Sequence, residues 1–190
     1  MVEPDEDWQL VSSGSLLAKQ AEVVRLKAAK RIARLEKADS TVKANVIQAI
    51  TISLIPMPLL DVVALTNIQF KMLDDLVKLY GIRYTKIGKS VVNAFILGVL
   101  PVATVTGLSS MLKLMPGIGS FVGSAGVAVS GGGLTYATGK VFVRHFETGG
   151  TLDNFNLQEA KRQFRQEFRK GKQVARDLAV TKHLPLSKPE

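Results

Sequence analysis

Cysteine is absent from all 190 residues, and the chain has only two histidines and one tryptophan. Without cysteine there is no disulfide framework, no thiolate metal site and no thiol nucleophile. His145 and His183 are too few, and too far apart in sequence, to supply the ligand spacing that a metal trio needs. Acidic side chains are also in short supply: 16 Asp and Glu against 25 Lys and Arg leave a net charge of +9. Such a balance favours acidic partners, either nucleic acid or an anionic membrane surface. By segment the charge is roughly −4 over residues 1–15, +5 over 16–43, +3 over 44–139 and +5 over 140–190, so cations flank the middle of the chain on both sides. The opening Val2-Glu3-Pro4-Asp5-Glu6-Asp7 has the wrong sign for the n-region of a secretion signal.

Charge itself is missing from the centre. No side chain is charged between Ser90 and Leu112, nor between Leu114 and Gly139, and Lys113 alone separates the two stretches. A spanning helix needs ~20 apolar residues, so the pair reads as a glycine-rich apolar helical hairpin inserted in a membrane. Gly98 and Pro101 fall inside the first arm, where membrane helices tolerate them because neighbours re-satisfy the freed backbone groups. In the second arm, Gly119-x-x-x-Gly123 has the spacing that lets two helix backbones approach closely. Gly119, Gly123 and Gly126 are therefore helix-packing candidates, and a homo-oligomer could be built on them. In water each interior glycine costs about 1 kcal/mol relative to alanine, so this helix demands a closely packed neighbour in either medium. Arg83, Lys86 and Lys89 precede the hairpin and Lys140 and Arg144 follow it. By the positive-inside tendency both termini lie on the cytoplasmic side of a plasma or inner membrane.

The flanks read as helices too. Residues 1–15 form an acidic tail expected to be flexible, with Trp8 able to touch an interface or a partner. Residues 16–43 form a basic amphipathic helix. Leu17, Ala21, Val24, Ala28, Ile32 and Leu35 recur at three- and four-residue spacing, and Lys27, Lys30 and Arg34 lie away from them as lipid-facing candidates. The same stripe suits a coiled-coil seam or packing on the chain's own domain. Further on, Pro56 and Pro58 stop a helix, and a new one is expected from Leu59 or Leu60 to Tyr80, with Gly81 ending it in a left-handed conformation. Asp61 then sits in the first turn, where a carboxylate meets the positive end of the helix dipole. That makes it a structural helix start, as Pro56 and Pro58 are. Lys71 with Asp75, and Asp74 with Lys78, are four apart and can pair. Near the C-terminus Leu157, Ala160, Phe164, Phe168, Ala175 and Leu178 form a stripe among cations, of which Arg165 and Arg169 are lipid-facing candidates. Asp153 or Asn154 is the expected cap, Gly171 is expected to interrupt the helix, and residues 172–190 read as a basic tail.

Motifs that would carry chemistry fail on spacing. A phosphate loop needs G-x-x-x-x-G-K-[ST] opening a helix after a strand. Here five residues separate Gly133 from Gly139, and Lys140 is followed by Val141. His145 and Glu147 lie two apart and do not face each other on a helix, and no Ser/His/acid constellation is legible. Phe164 and Phe168 belong to the apolar stripe, so they read as packed rather than as a stacking platform for bases, and nucleic acid is not the expected partner. The chain is expected to be no enzyme and to hold no cofactor or metal.

Four segments nevertheless form a recognisable set. IPMPLLDVVALTNIQFKMLDDLVKLYG, KSVVNAFILGVLPVA, MPGIGSFVGSAG and VFVRHFETGGT follow one another in order. Together they resemble the YcjF-like, GTPase-associated domain family of unknown function, over residues 44–171. The resemblance implies a bacterial helical membrane domain and a separate GTPase as partner, since this chain has no nucleotide-binding loop of its own. It brings no catalytic residues. Residues and resemblance together give an all-α helical bundle that acts without catalysis, as a membrane-associated anchor or scaffold with anionic lipid as a second partner. The alternatives are a soluble or peripheral interaction module that inserts reversibly, and a self-associating, pore-like assembly.

Overall fold

Between Gly14 and Pro56 the sequence has neither glycine nor proline, so nothing in the backbone stops a helix once it has begun. In the computed structural model one helix, α1, runs unbroken over Glu6–Ser53, 48 residues. The structure describes the backbone of residues 6–54, 60–105 and 119–184, and the side chains of 16–54, 63–99 and 126–184. Four more helices follow: α2 (Leu60–Tyr80), α3 (Lys86–Val105), α4 (Gly119–Glu147) and α5 (Leu157–Thr181). The described residues contain no strand, so the all-α expectation holds. Among them no helix is long and apolar enough to cross a membrane.

Several boundaries differ from those expected. α1 starts at Glu6, inside the stretch read as a tail, and continues ten residues past Lys43. Pro56 and Pro58 lie outside the described residues. Asp61 is the second residue of α2, so it does occupy the first turn. The end of α2 is as expected: Gly81 takes φ +66, and the Ile82 N–H donates to the Val77 carbonyl at 3.0 Å. α3 begins at Lys86 and passes through Gly98 and Pro101 without a break. α5 is capped by Asn156, not by Asp153 or Asn154. The Asn156 Oδ1 accepts from the Gln158 and Glu159 N–H groups at 3.0 Å each. Gly171 does not interrupt it.

The chain divides into residues Met1–Lys37 and Ala38–Glu190. In the first, every described side chain from Leu16 to Ala33 is exposed. In the second, α4 is the axis. Ala128, Leu134, Ala137, Val141 and Phe142 are buried along it, and its glycines explain how three other helices reach it. A Cβ at Gly171 of α5 would lie 2.6 Å from the Gly133 carbonyl oxygen, and one at Gly132 would lie 2.8 Å from both Ala175 of α5 and Ile50 of α1. A Cβ at Gly139 would lie 2.5 Å from Val42 of α1 and 3.1 Å from the Met72 sulfur of α2. The close neighbours that the glycines demand are thus α1, α2 and α5. From Ala128 to Gly139 the uncharged stretch is apolar because protein covers it.

Aromatic rings pack around the C-terminal half of α4. Phe95 of α3 meets Phe142 edge-on at 5.5 Å and Phe155 at 5.3 Å, and Phe155 stacks on Phe142 at 4.7 Å. Phe164 and Phe168 are buried and stacked at 5.7 Å, packed as expected. Polar side chains also enter the core. Gln69 donates to the Thr135 hydroxyl at 2.7 Å, which in turn donates to the Gly131 carbonyl at 3.0 Å. Asp39 ties α1 to α4 by accepting from Lys140 at 2.7 Å, and it pairs with Lys43 at 2.8 Å. Burial raises the Asp39 pKa, but the hydrogen bonds from Lys140 and Lys43 outweigh it and hold the carboxyl below its ordinary value.

Candidate functional site

The residues between α4 and α5 form a tight corner. Gly149 takes φ +82, which a side chain would strain, and the loop turns back so closely that a Cβ at Gly150 would lie 2.4 Å from the His145 ring. The His145 Nε2 is 2.8 Å from the Thr151 carbonyl and 3.1 Å from the Asn154 Oδ1. A carbonyl only accepts, so Nε2 carries the proton and donates. The same Asn154 Oδ1 accepts from the Thr151 N–H at 2.8 Å, which fixes the orientation of the amide. His145 is therefore a clamp on the Thr-Gly-Gly-Thr segment. Beside it an open recess of about 320 Å³ is lined by Arg144, His145, Asn154, Glu159 and Gln163, among others. Glu159 is spoken for: it pairs with Arg162 and accepts from Gln163 at 2.9 Å. The Thr148 hydroxyl, also on the recess, donates to the His145 carbonyl at 2.8 Å, so its visible work is to hold the turn.

The outer surface is more informative. On α5, Lys161, Arg165, Arg169, Lys172 and Arg176 follow at spacings of four, four, three and four, which at 3.6 residues per turn aligns them on one ridge. Lys161, Arg165, Arg169 and Arg176 are exposed, and Lys172 lies over the Phe168 ring at 5.4 Å. No acidic residue falls on that line. The ridge borders α3, where a Cβ at Gly98 would lie 3.8 Å from the Lys161 Cε. α3 exposes Lys86, Ile87 and Lys89 in its first turn, then Ser90, Asn93, Ala94, Leu97 and Gly98, and is uncharged from Ser90 onward. A cationic row thus stands beside an uncharged helix face.

The structure places the expected site residues unevenly. Lys27, Lys30, Arg165 and Arg169 are exposed and Arg34 is half-buried. Gly119 and Gly123 lie in the first turns of α4, with their surroundings outside the described side chains, and Gly126 is exposed. The sequence reading found Arg165 and Arg169 but not the five-membered ridge, whose signal is the i, i+4 recurrence of cations. It missed the His145 clamp, whose signal is the Gly-Gly pair following a histidine at the end of a helix. Among the described residues no three His, Asp or Glu side chains gather as a metal site.

Comparison with known proteins agrees with the motif pattern. The model of a domain of unknown function, DUF697, matches residues 18–173, reaching further toward the N-terminus than the four motif segments do. Magnetosome membrane protein 22 of Magnetospirillum gryphiswaldense is 33% identical over 147 residues, covering 76% of this chain and 75% of that protein. No solved structure matches the chain. A match over most of the length, with the motifs in order, shows that the chain belongs to the DUF697 family, the GTPase-associated domain family its sequence resembles.

Proposed function

We propose that the protein is a non-enzymatic, membrane-associated helical scaffold that positions a partner, with a separate GTPase as the partner the family suggests. The observation that carries this reading is the kinship over three quarters of both chains with a protein named as a membrane protein. The ridge on α5 supports it, because a line of cations without acids is attracted to anionic lipid at about 1 kcal/mol per residue near the surface. The uncharged exposed face of α3 beside that ridge supports it as well. In this reading the membrane contact is made by α3 and the cations of α5, since α4 from Ala128 to Val143 is covered by protein. The basic helices face the cytoplasmic side. Membrane fractionation tests the proposal. The chain should stay with the membrane through salt and carbonate washes, and wholly soluble monomer would sink it.

A peripheral module that binds lipid reversibly is the second reading. The coverage of α4 by α1, α2 and α5 favours it, because the glycine-rich helix already has the close neighbours it needs. Release by salt alone, with a monodisperse detergent-free species in the supernatant, would select this reading over stable insertion.

A further inference from the structure

α4 meets its neighbours in two unlike ways. Toward α3 and α5 the packing is aromatic and backbone-close: Phe95, Phe142, Phe155, Phe164 and Phe168 are buried, and Gly171 lets α5 reach the Gly133 carbonyl. Residues 38–53 of α1 contain no aromatic side chain. Ala38, Val42, Val46, Ala49 and Ile50 are what they bury, so less apolar area leaves water per residue than where phenylalanine packs.

Unmet polar groups divide the same way. Among the described residues, the Asn45 Oδ1 and Ser53 Oγ of α1, the Gln69 Oε1 of α2 and the Thr138 Oγ1 of α4 are buried without a hydrogen-bond partner, and none such lies on α3 or α5. Asn45 spends its Nδ2 on the Thr41 carbonyl of its own helix at 2.8 Å, which leaves its oxygen unmet. The Ser53 hydroxyl sits 2.6 Å from where a Cβ would stand at Gly131. A buried acceptor without a donor costs its desolvation, and that cost is recovered when water reaches it. Lifting α1 gives water to Asn45 and Ser53, whereas lifting α5 relieves no such atom of its own. Apolar packing does not continue N-terminal to this stretch, because Leu16 to Ala33 are exposed. The Lys140–Asp39 bridge that fastens its edge is about a third exposed on both partners.

We infer that residues Ala38–Ser53 are a releasable cover on α4. The stretch opens as a unit while α4 and α5 stay joined, and it bares Gly131, Gly132 and Gly139. Elements with little apolar burial and unmet polar groups open locally before the whole fold does. The inference goes beyond the scaffold reading and does not rest on it. It gives the molecule a covered and an open state, and a ligand of the bared glycine face shifts the chain toward the open one by its differential affinity.

Native-state hydrogen exchange of the full chain, read by nuclear magnetic resonance, tests it. The amides of Val42–Ile50 should exchange through an opening at least roughly thirtyfold more populated than the one that exposes Phe164–Ala179. Exchange of both sets through one common opening overturns the inference. A chain without cysteine also permits a unique lock. A Cβ at Gly139 would lie 2.5 Å from Val42, so Val42→Cys, which removes a methyl, combined with Gly139→Cys brings two thiols within bonding reach. Oxidation should slow exchange of residues 42–50 at least roughly tenfold more than that of α5, and reduction should restore the difference. Equal slowing of both sets overturns the inference. Asn45→Leu, which removes an unmet oxygen, should slow the α1 amides by roughly fivefold. Faster exchange instead overturns it, because the oxygen then had a partner in solution. The unaltered chain scores the inference without either variant, and membrane fractionation bears on none of these measurements.

Discussion

Residues 16–37 and 38–53 of α1 follow one apolar spacing on one continuous helix, yet the apolar face of the second is buried and that of the first is exposed as far as Ile32. The difference lies in the neighbours. Val42 and Ile50 are buried because Gly139 and Gly132 of α4 have no side chains to hold the helices apart. Residues 16–33 carry the same pattern with their side chains exposed. Hydrophobic periodicity thus specifies which face of a helix is to be covered, and complementary small residues elsewhere in the chain specify whether it is.

Matched substitutions on the two stretches give the largest expected contrast. Val42→Asp places a carboxylate in a fully buried site beside α4 and should destabilise the fold by at least about 4 kcal/mol. Val24→Asp should change stability by no more than about 0.5 kcal/mol. Urea midpoints followed by circular dichroism measure both, and equal losses would mean that the exposed stretch is covered in solution.

The crossing of α4 and α5 comes next in size. Gly171→Ala drives a Cβ against the Gly133 carbonyl, a backbone atom that cannot rotate away, and should cost about 2–3 kcal/mol in the same titration. An unchanged midpoint would mean that the two helices sit further apart than the structure has them.

A smaller change of the opposite sign is expected inside the core. The Thr138 hydroxyl is fully buried with no hydrogen-bond partner, so Thr138→Val replaces it with a methyl of similar shape and should stabilise by about 1 kcal/mol. A loss of stability instead would show that the hydroxyl is hydrogen-bonded in solution.

The smallest effect belongs to the Asp39 bridge, just past the division between the two stretches. Its folded pKa lies below its unfolded value, so its contribution is present above about pH 4 and is lost as pH falls through the lowered folded value. With both partners about a third exposed, the contribution is at most about 1 kcal/mol. Asp39→Asn should lower stability at neutral pH by that amount and flatten the acid limb of the stability profile. An unchanged acid limb would assign it to other carboxylates.

Much of this could be read without coordinates where the cause is local. The C-terminal limit of α2 follows from Gly81, and the pairs Lys71–Asp75 and Asp74–Lys78 follow from helical spacing. Phe164 and Phe168 are packed because they lie on the apolar stripe. The cap of α5 was not legible. Asp153, Asn154 and Asn156 are all competent caps, and Asn154 is unavailable because its oxygen accepts from Thr151 and from His145, a residue nine positions away. Gly171 was read as a break for a similar reason: a lone glycine marks a weak point in a helix unless a second backbone comes within reach of it.

The sequence by itself determined an all-helical chain, cations flanking an uncharged centre, and a glycine-rich helix that requires close neighbours. Each of these is a matter of what a residue can and cannot do within a turn or two of its own position. Only the tertiary structure decided that the neighbours are α1, α2 and α5, that protein covers α4 from Ala128 to Val143, and that the cations of α5 align beside the uncharged face of α3. Those outcomes depend on which surfaces meet across long stretches of chain, and glycine records that something comes close without recording what it is.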